Sequence, residues 1–185
     1  MTSLAALLEE PVLDAAPRLL GATVTTRFDG ALVVVRLNEV EAYVGADDPA
    51  SHAFRGRTRR NGSMFGAAGT LYVYRSYGLH WCMNVVTGAP NVPHAILLRG
   101  GIVVEGRATA VQRRGRSEHL ADGPGKLTQA LGVLGEHDGT SVLTGPVRVE
   151  LPDHPPPESR IVSTPRIGIS KAVEEPWRFV LEHRD

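Results

Sequence analysis

Between Val44 and Gly69 the chain runs for 26 residues with five glycines and no sustained helical or strand period. Loops of that length inside a compact domain are usually functional or disordered. The fold must therefore be built from the elements on either side, with this segment laid over them. Upstream, Leu4 to Leu20 predicts two short helices split near Pro11. The second runs from Val12 to Leu20 and stops at Gly21, a residue suited to the position after a helix end. Thr23 to Arg27 and Ala31 to Tyr43 predict strands joined by a turn at Asp29-Gly30. Downstream, Thr70 to Tyr74, Trp81 to Val86 and Ala95 to Arg99 read as strands, and Val103 to Arg114 as a helix. Gly123-Pro124-Gly125 leads into a short helix through Leu131, with Pro124 in its first turn. Val147 to Leu151, Ile161 to Ile169 and Trp177 to Leu181 read as later strands. Asp153 to Glu158, with three successive prolines, reads as a stiff connector. The mixture predicts an α+β fold, one domain over residues 1–185 around a mostly antiparallel sheet.

At 185 residues, 42% of them hydrophobic, the chain can bury a real core. No apolar run is long enough to span a membrane, so no membrane partner is expected. The N-terminus has no basic n-region and soon meets Glu9 and Glu10, which argues against a secretory signal. The single Cys82 rules out an internal disulfide and a cysteine-based zinc cluster. The seven histidines are scattered with no pair at helical metal-binding spacing, so no metal is expected. An intracellular location is the default.

The formal net charge is zero, but the charge is unevenly spread. From His52 to Arg116 there are ten arginines and one acid, Glu105. The remainder of the chain carries the compensating excess of acids. Such asymmetry puts a positive face on a neutral body. A face of this kind attracts a polyanion, with an affinity that falls steeply with salt. A solvated arginine-rich loop is the plainer alternative. Arg55, Arg57, Arg59, Arg60, Arg75 and Lys126 are the candidates for contacts with a phosphate backbone.

All four tyrosines lie between Glu41 and Arg99, inside or beside this basic window. In a strand, Tyr72 and Tyr74 face one way while Leu71 and Val73 face the other and can fill the core. Tyr77 follows at a Tyr-Gly turn, where an aromatic ring can project. Ordinary sheet packing also explains each tyrosine singly. Glu39, Glu41 and Tyr43 share one face of an ideal strand. A carboxylate at the end of an apolar strand can act as a general base, or can be a solvent-facing or ion-paired residue. Glu39 and Glu41 could equally form the acid/base pair of a glycoside hydrolase. His52 alone carries little weight. There is no phosphate-binding Walker A loop, no nucleophile elbow and no dinucleotide fingerprint. Flat rings suit a nucleobase, arginines suit phosphates and a carboxylate can activate water.

Several segments together resemble the alkyladenine DNA glycosylase family, the mammalian type of 3-methyladenine DNA glycosylase. They are Glu39-Val40-Glu41-Ala42-Tyr43, Asp48-Pro49-Ala50-Ser51-His52, Arg60-Asn61 with Met64-Phe65, and Gly69-Thr70-Leu71-Tyr72-Val73-Tyr74. Tyr77-Gly78, Cys82-Met83-Asn84, Leu97-Leu98-Arg99, Gly123-Pro124-Gly125-Lys126-Leu127 and Pro165-Arg166-Ile167-Gly168 continue the series. Order and approximate spacing hold over nearly the whole chain. The resemblance implies a curved antiparallel sheet with flanking helices, and a monofunctional N-glycosylase that flips damaged purines out of double-stranded DNA. It implies Glu41 as the base that deprotonates a water at C1′. It places Tyr43, His52 and Tyr74 around the base, and Tyr77 in the gap the base leaves. Asn84 would disfavour guanine by crowding its exocyclic amine. Arg99 would contact the target nucleotide and the water. It further implies no cofactor, a monomer, and a cytoplasmic bacterial enzyme working at the nucleoid. Arg75-Ser76 departs from the family, where more apolar residues are expected. No lysine is expected near the candidate base, water and pocket residues, so a Schiff-base lyase step is not expected. Two other readings stand beside this one: a non-catalytic lesion-binding DNA-damage sensor, and a hydrolase of small N-glycosides using Glu39 and Glu41.

Overall fold

The computed structural model describes residues 2–182. Two short helices, α1 (Leu4–Glu9) and α2 (Val12–Arg18), precede strands β1 (Thr23–Phe28) and β2 (Ala31–Tyr43). Strands β3 (Leu71–Ser76), β4 (His80–Thr87) and β5 (His94–Glu105) follow the long irregular segment. Helices α3 (Arg107–Arg114) and α4 (Pro124–Leu131) come next, then β6 (Val147–Glu150), β7 (Ile161–Thr164) and β8 (Arg178–Leu181). Six strands lie in the order β3-β4-β5-β2-β1-β6, and the β7–β8 hairpin joins them through β8 on β2. Every pairing between these strands is antiparallel. The fold is the expected α+β domain with one antiparallel sheet.

Strand β2 organises the sheet. Its first half, residues 31–36, pairs with β1, while residues 39–41 pair with β8. Strand β5 pairs with it from Val34 to Tyr43, with register breaks at Val34/Val35, Leu37/Glu39 and Glu39/Val40. Such bulges bend a strand and re-aim its side chains. The partner strand accommodates the kink with Gly100-Gly101. A Cβ on Gly101 would lie 2.5 Å from the Arg36 carbonyl oxygen, so the backbones cross too closely for any side chain.

The two faces of the sheet differ in kind. Val40, Ala42, Leu71, Val73, Met83, Val85, Ile96 and Leu98 point into the main core with Leu7, Leu19, Leu127 and Leu131 of the helical side. The alternate residues of the same strands point the other way, as the period of two requires. That second face carries Glu41, Tyr43, Tyr72, Tyr74, Asn84 and Arg99.

Three sequence expectations need correcting. Val103 to Arg114 is not one helix: β5 continues to Glu105, and α3 starts only at Arg107. Gly106 between them has φ of 73°, and a Cβ there would lie 1.9 Å from the Leu32 carbonyl oxygen. The β-branched run at Val103-Val104 pairs in the sheet instead of starting the helix. Ile161 to Ile169 is a strand only to Thr164, because Pro165 has no N–H to donate to a ladder. Helix α2 ends at Arg18 rather than Leu20.

The segment from Val44 to Gly69 is ordered by side chains in place of a ladder. The buried Asn61 donates to the carbonyls of His52 (2.9 Å) and Gly56 (3.0 Å) and accepts from Thr58 N–H (2.6 Å). Ser63 donates to Asp138 at 2.6 Å, and the same carboxylate accepts from Val73 N–H on the free edge of β3 (2.8 Å). Short polar side chains supplement the local backbone turns of the loop in this way.

Candidate active site

Register alone gathers the distant motifs. Tyr72 pairs with Asn84, Asn84 with Leu97, Leu97 with Glu41, and Glu41 with Arg178. This row crosses five strands and sets residues from four sequence motifs side by side. Above it opens a cavity of about 760 Å³ lined by Tyr43, His52, Tyr74, Asn84, Arg99 and Tyr77, among others. That is ample for a nucleobase and its sugar.

Glu41 is fully buried just behind the wall of this cavity. Its Oε1 accepts the Ile167 N–H at 2.8 Å and lies 3.3 Å from Arg99 Nη1. Its Oε2 accepts the Tyr43 hydroxyl at 2.9 Å. A carboxylate offers about four lone-pair sites. Two accept hydrogen bonds and Arg99 Nη1 makes an ion-pair contact with Oε1, leaving one site open on Oε2, close to Tyr43. Burial first, and then the neighbouring Glu41, push the Tyr43 hydroxyl well above its usual range, so it stays protonated and able to donate.

Glu39 differs from Glu41. Its Oε1 accepts from Arg99 Nε at 2.8 Å and from Arg178 Nε at 2.6 Å. Burial would raise its pKa, but the hydrogen bonds from Arg178 and Arg99 outweigh that and hold it low. A carboxyl kept ionised in this way is a poor proton donor, which weighs against a Glu39/Glu41 acid–base pair. Arg99 is thereby fixed between two carboxylates. Burial lowers its pKa, and Glu41 and Glu39 more than restore it.

The aromatic wall is made by Tyr43, His52, Tyr72 and Tyr74. The His52 and Tyr74 rings meet edge-on at 4.4 Å, and Tyr72 stacks on Tyr74 at 5.5 Å. His52 Nδ1 lies 3.0 Å from the Tyr72 hydroxyl. Desolvation, then Arg60, lower the His52 pKa, which favours a neutral ring against a base. Asn84 is buried and donates to the Tyr72 carbonyl at 3.2 Å, so its side chain is fixed at the cavity floor.

Tyr77 stands apart from this packing. It sits at the β3–β4 turn with φ of 49°, followed by Gly78 at 69°, and Leu79 N–H closes the turn on Ser76 O at 2.9 Å. The ring is 86% exposed, so the turn presents it to solvent at the cavity rim.

The basic candidates divide. Arg55 and Arg59 are exposed and make no hydrogen bond or ion pair among the described residues. Arg57 lies over Phe65, Arg75 over Trp81, Arg60 donates to Arg75 O, and Lys126 pairs with Asp122. Elsewhere in the basic window, Arg113 donates to the Leu131 carbonyl at the end of α4 and Arg107 to Ser117 O. Part of the positive surplus therefore serves the fold. The structure also brings a lysine to the site, against the sequence expectation: Lys171 lines the cavity, its ammonium 6.0 Å from the Phe54 ring. The loop after β7 folds it over the cavity from far along the chain.

Sequence reasoning gave no role to the Ile167 N–H, Tyr72, Asp138 or the Asp48–Arg166 pair. Only the presence of Asp48, Tyr72, Arg166 and Ile167 within family-like motifs pointed to them.

The family model described as Methylpurine-DNA glycosylase (MPG) matches residues 6–185. A relative from Frankia casuarinae is 50% identical over 94% of this chain and 85% of its own length. One from Methanoculleus marisnigri is 46% identical over 98% of this chain and 96% of its own. One from Nocardia farcinica is 47% identical over 94% and 85%. All three are provisionally named 3-methyladenine DNA glycosylase.

Proposed function

The chain belongs to the methylpurine-DNA glycosylase family, hydrolases of N-glycosyl bonds, and from that premise we propose that it excises alkylated or deaminated purines from duplex DNA by a Glu41-activated water. The observation that carries this reading is the Glu41 carboxylate, held by two hydrogen-bond donors and an ion-pair contact from Arg99, with one site of Oε2 open, behind an aromatic cavity. Substrates of the 3-methyladenine, hypoxanthine and ethenoadenine type fit the chemistry. A cationic alkylated purine departs as a neutral base with no second carboxyl, whereas neutral hypoxanthine or ethenoadenine takes up a proton from solvent water as it departs.

The sugar is reached only once the nucleotide leaves the stack, which costs a few kcal/mol. Tyr77 fills the space left behind. Stacking in the cavity on Tyr43, Tyr74 and His52 offsets the rest, at roughly 1–3 kcal/mol per base. As the glycosidic bond lengthens, positive charge grows on the sugar. Glu41 stabilises that charge and takes the proton from the attacking water. Arg99 steadies the carboxylate and the water beside it. Oxygen from water bonds to C1′ and the base departs, leaving an abasic site. Asn84 at the floor crowds the exocyclic amine of guanine.

Duplex oligonucleotides each bearing one hypoxanthine, one ethenoadenine or one methylated purine test this. Strand breaks that appear only after alkali support a monofunctional glycosylase. An adduct trapped by borohydride in wild type and lost in Lys171→Ala would replace that reading with a lyase. Tight lesion-selective binding without breaks would replace it with a damage sensor.

A further inference from the structure

Asp48 and Arg166, from two family-like segments, meet inside the protein behind the cavity wall. The Arg166 and Asp48 side chains are both fully buried. Arg166 Nη1 lies 2.5 Å from Asp48 Oδ2 and Nη2 lies 2.9 Å from Oδ1, a bidentate pair. Asp48 also accepts from the N–H groups of Ala50 (3.0 Å) and Val44 (3.3 Å). The guanidinium is held between two rings, 4.6 Å from the Tyr43 centroid and 4.9 Å from Trp177. Its Nη1 donates to the Ala42 carbonyl at 3.0 Å, in the residue between Glu41 and Tyr43. The next residue along the chain, Ile167, supplies the N–H to Glu41.

We propose that Arg166, anchored by Asp48, is a positioning residue that keeps the Tyr43 hydroxyl and the Ile167 N–H aimed at Glu41. A buried ion pair is weak evidence of stabilisation, since desolvation offsets much of its attraction. Here Arg166 Nε is buried and has no hydrogen-bond partner among the described residues, a further cost. What the arrangement achieves is geometric. The guanidinium fork reaches three acceptors and lies over two rings, which lysine cannot reproduce. Tyr43 lines the cavity and Arg166 does not, so the guanidinium supports the ring from outside the base site. Of the three groups that hold Glu41, the two hydrogen-bond donors are thus set through Arg166 and the Arg99 ion-pair contact through the Arg99–Glu39 pair.

This inference rests on the reading of Glu41 as the activator of water. Its test is Arg166→Lys, which keeps the charge facing Asp48 but loses the fork and its contact with the two rings. Single-turnover excision of hypoxanthine from a duplex, counted per folded molecule, should fall roughly 10- to 100-fold, the scale of a misplaced catalytic geometry. Affinity for a duplex with a reduced abasic site should change less than about two-fold, because Arg166 faces no DNA. Tyr43→Phe should slow excision in wild type but add little in the Arg166→Lys background, since both act on one hydrogen bond. If Arg166→Lys does not fold, Trp177→Leu removes one side of the clamp and should slow excision with affinity unchanged. A lowered melting temperature with an unchanged rate per folded molecule would overturn the proposal, as would additive effects of Arg166→Lys and Tyr43→Phe. Full activity in Glu41→Gln would instead overturn the reading beneath it.

Discussion

The Glu41 corner of β2 and the Tyr77 tip of the β3–β4 turn lie on the same cavity yet are built in opposite ways. Glu41 has no exposed surface and its donors are already in place. Tyr77 is almost wholly exposed, with nothing packed around it. Electrostatic groups that need no rearrangement are worth most at the chemical step. A projecting aromatic gains its energy only when a partner covers it. The contrast teaches a division of labour: the buried corner should govern rate, and the exposed tip should govern flipping and grip.

The largest effect should come from Glu41→Gln. The amide keeps shape but cannot take the proton, so excision should fall by roughly 10²- to 10⁴-fold while duplex binding persists. Next is Asp48→Ala, which leaves Arg166 as an uncompensated buried charge. Chemical denaturation should show a loss of about 3–5 kcal/mol, the usual cost of breaking such a pair. Tyr77→Ala should come third. Losing one stacked ring costs on the order of 1–3 kcal/mol in lesion-duplex affinity. The rate at saturating enzyme should fall less than in Glu41→Gln; an equal fall would break the division of labour. Replacing Arg55 and Arg59 by alanine should weaken binding evenly across sequences, reducing the salt slope by about 1 each. The smallest effect concerns His52. Its folded pKa is lowered from 6.5, so below that pH the unfolded chain protonates first. The stability it contributes is complete above 6.5 and declines as pH falls toward the folded value. His52→Gln should flatten the decline of the melting temperature as pH falls below 6.5.

The sequence showed the sheet well where its period was clean. Leu71/Val73 against Tyr72/Tyr74 divided between core and site as alternation required. The Asp29-Gly30 turn and the Pro124 helix start fell in place because both are local signals. What stayed hidden was long-range. The register row from Tyr72 to Arg178 depends on the bulge near Asn38 and its glycine partners, which no window of sequence reveals. The Ile167 N–H is a backbone group and leaves no mark in composition. Lys171 reaches the cavity only because the loop after Thr164 folds back across it. The arginine surplus was legible as charge, but nothing in it distinguished Arg113, which binds a helix end, from Arg55, which binds nothing here.

The central claim is that Glu41 performs the chemistry and does not supply the binding. The most direct test measures single-turnover excision and duplex affinity for wild type and Glu41→Gln on the same hypoxanthine-containing oligonucleotide. Excision lost by roughly 10²-fold or more with affinity held is the predicted result. Excision near the wild-type rate in Glu41→Gln, or a loss that follows weakened binding alone, would contradict it.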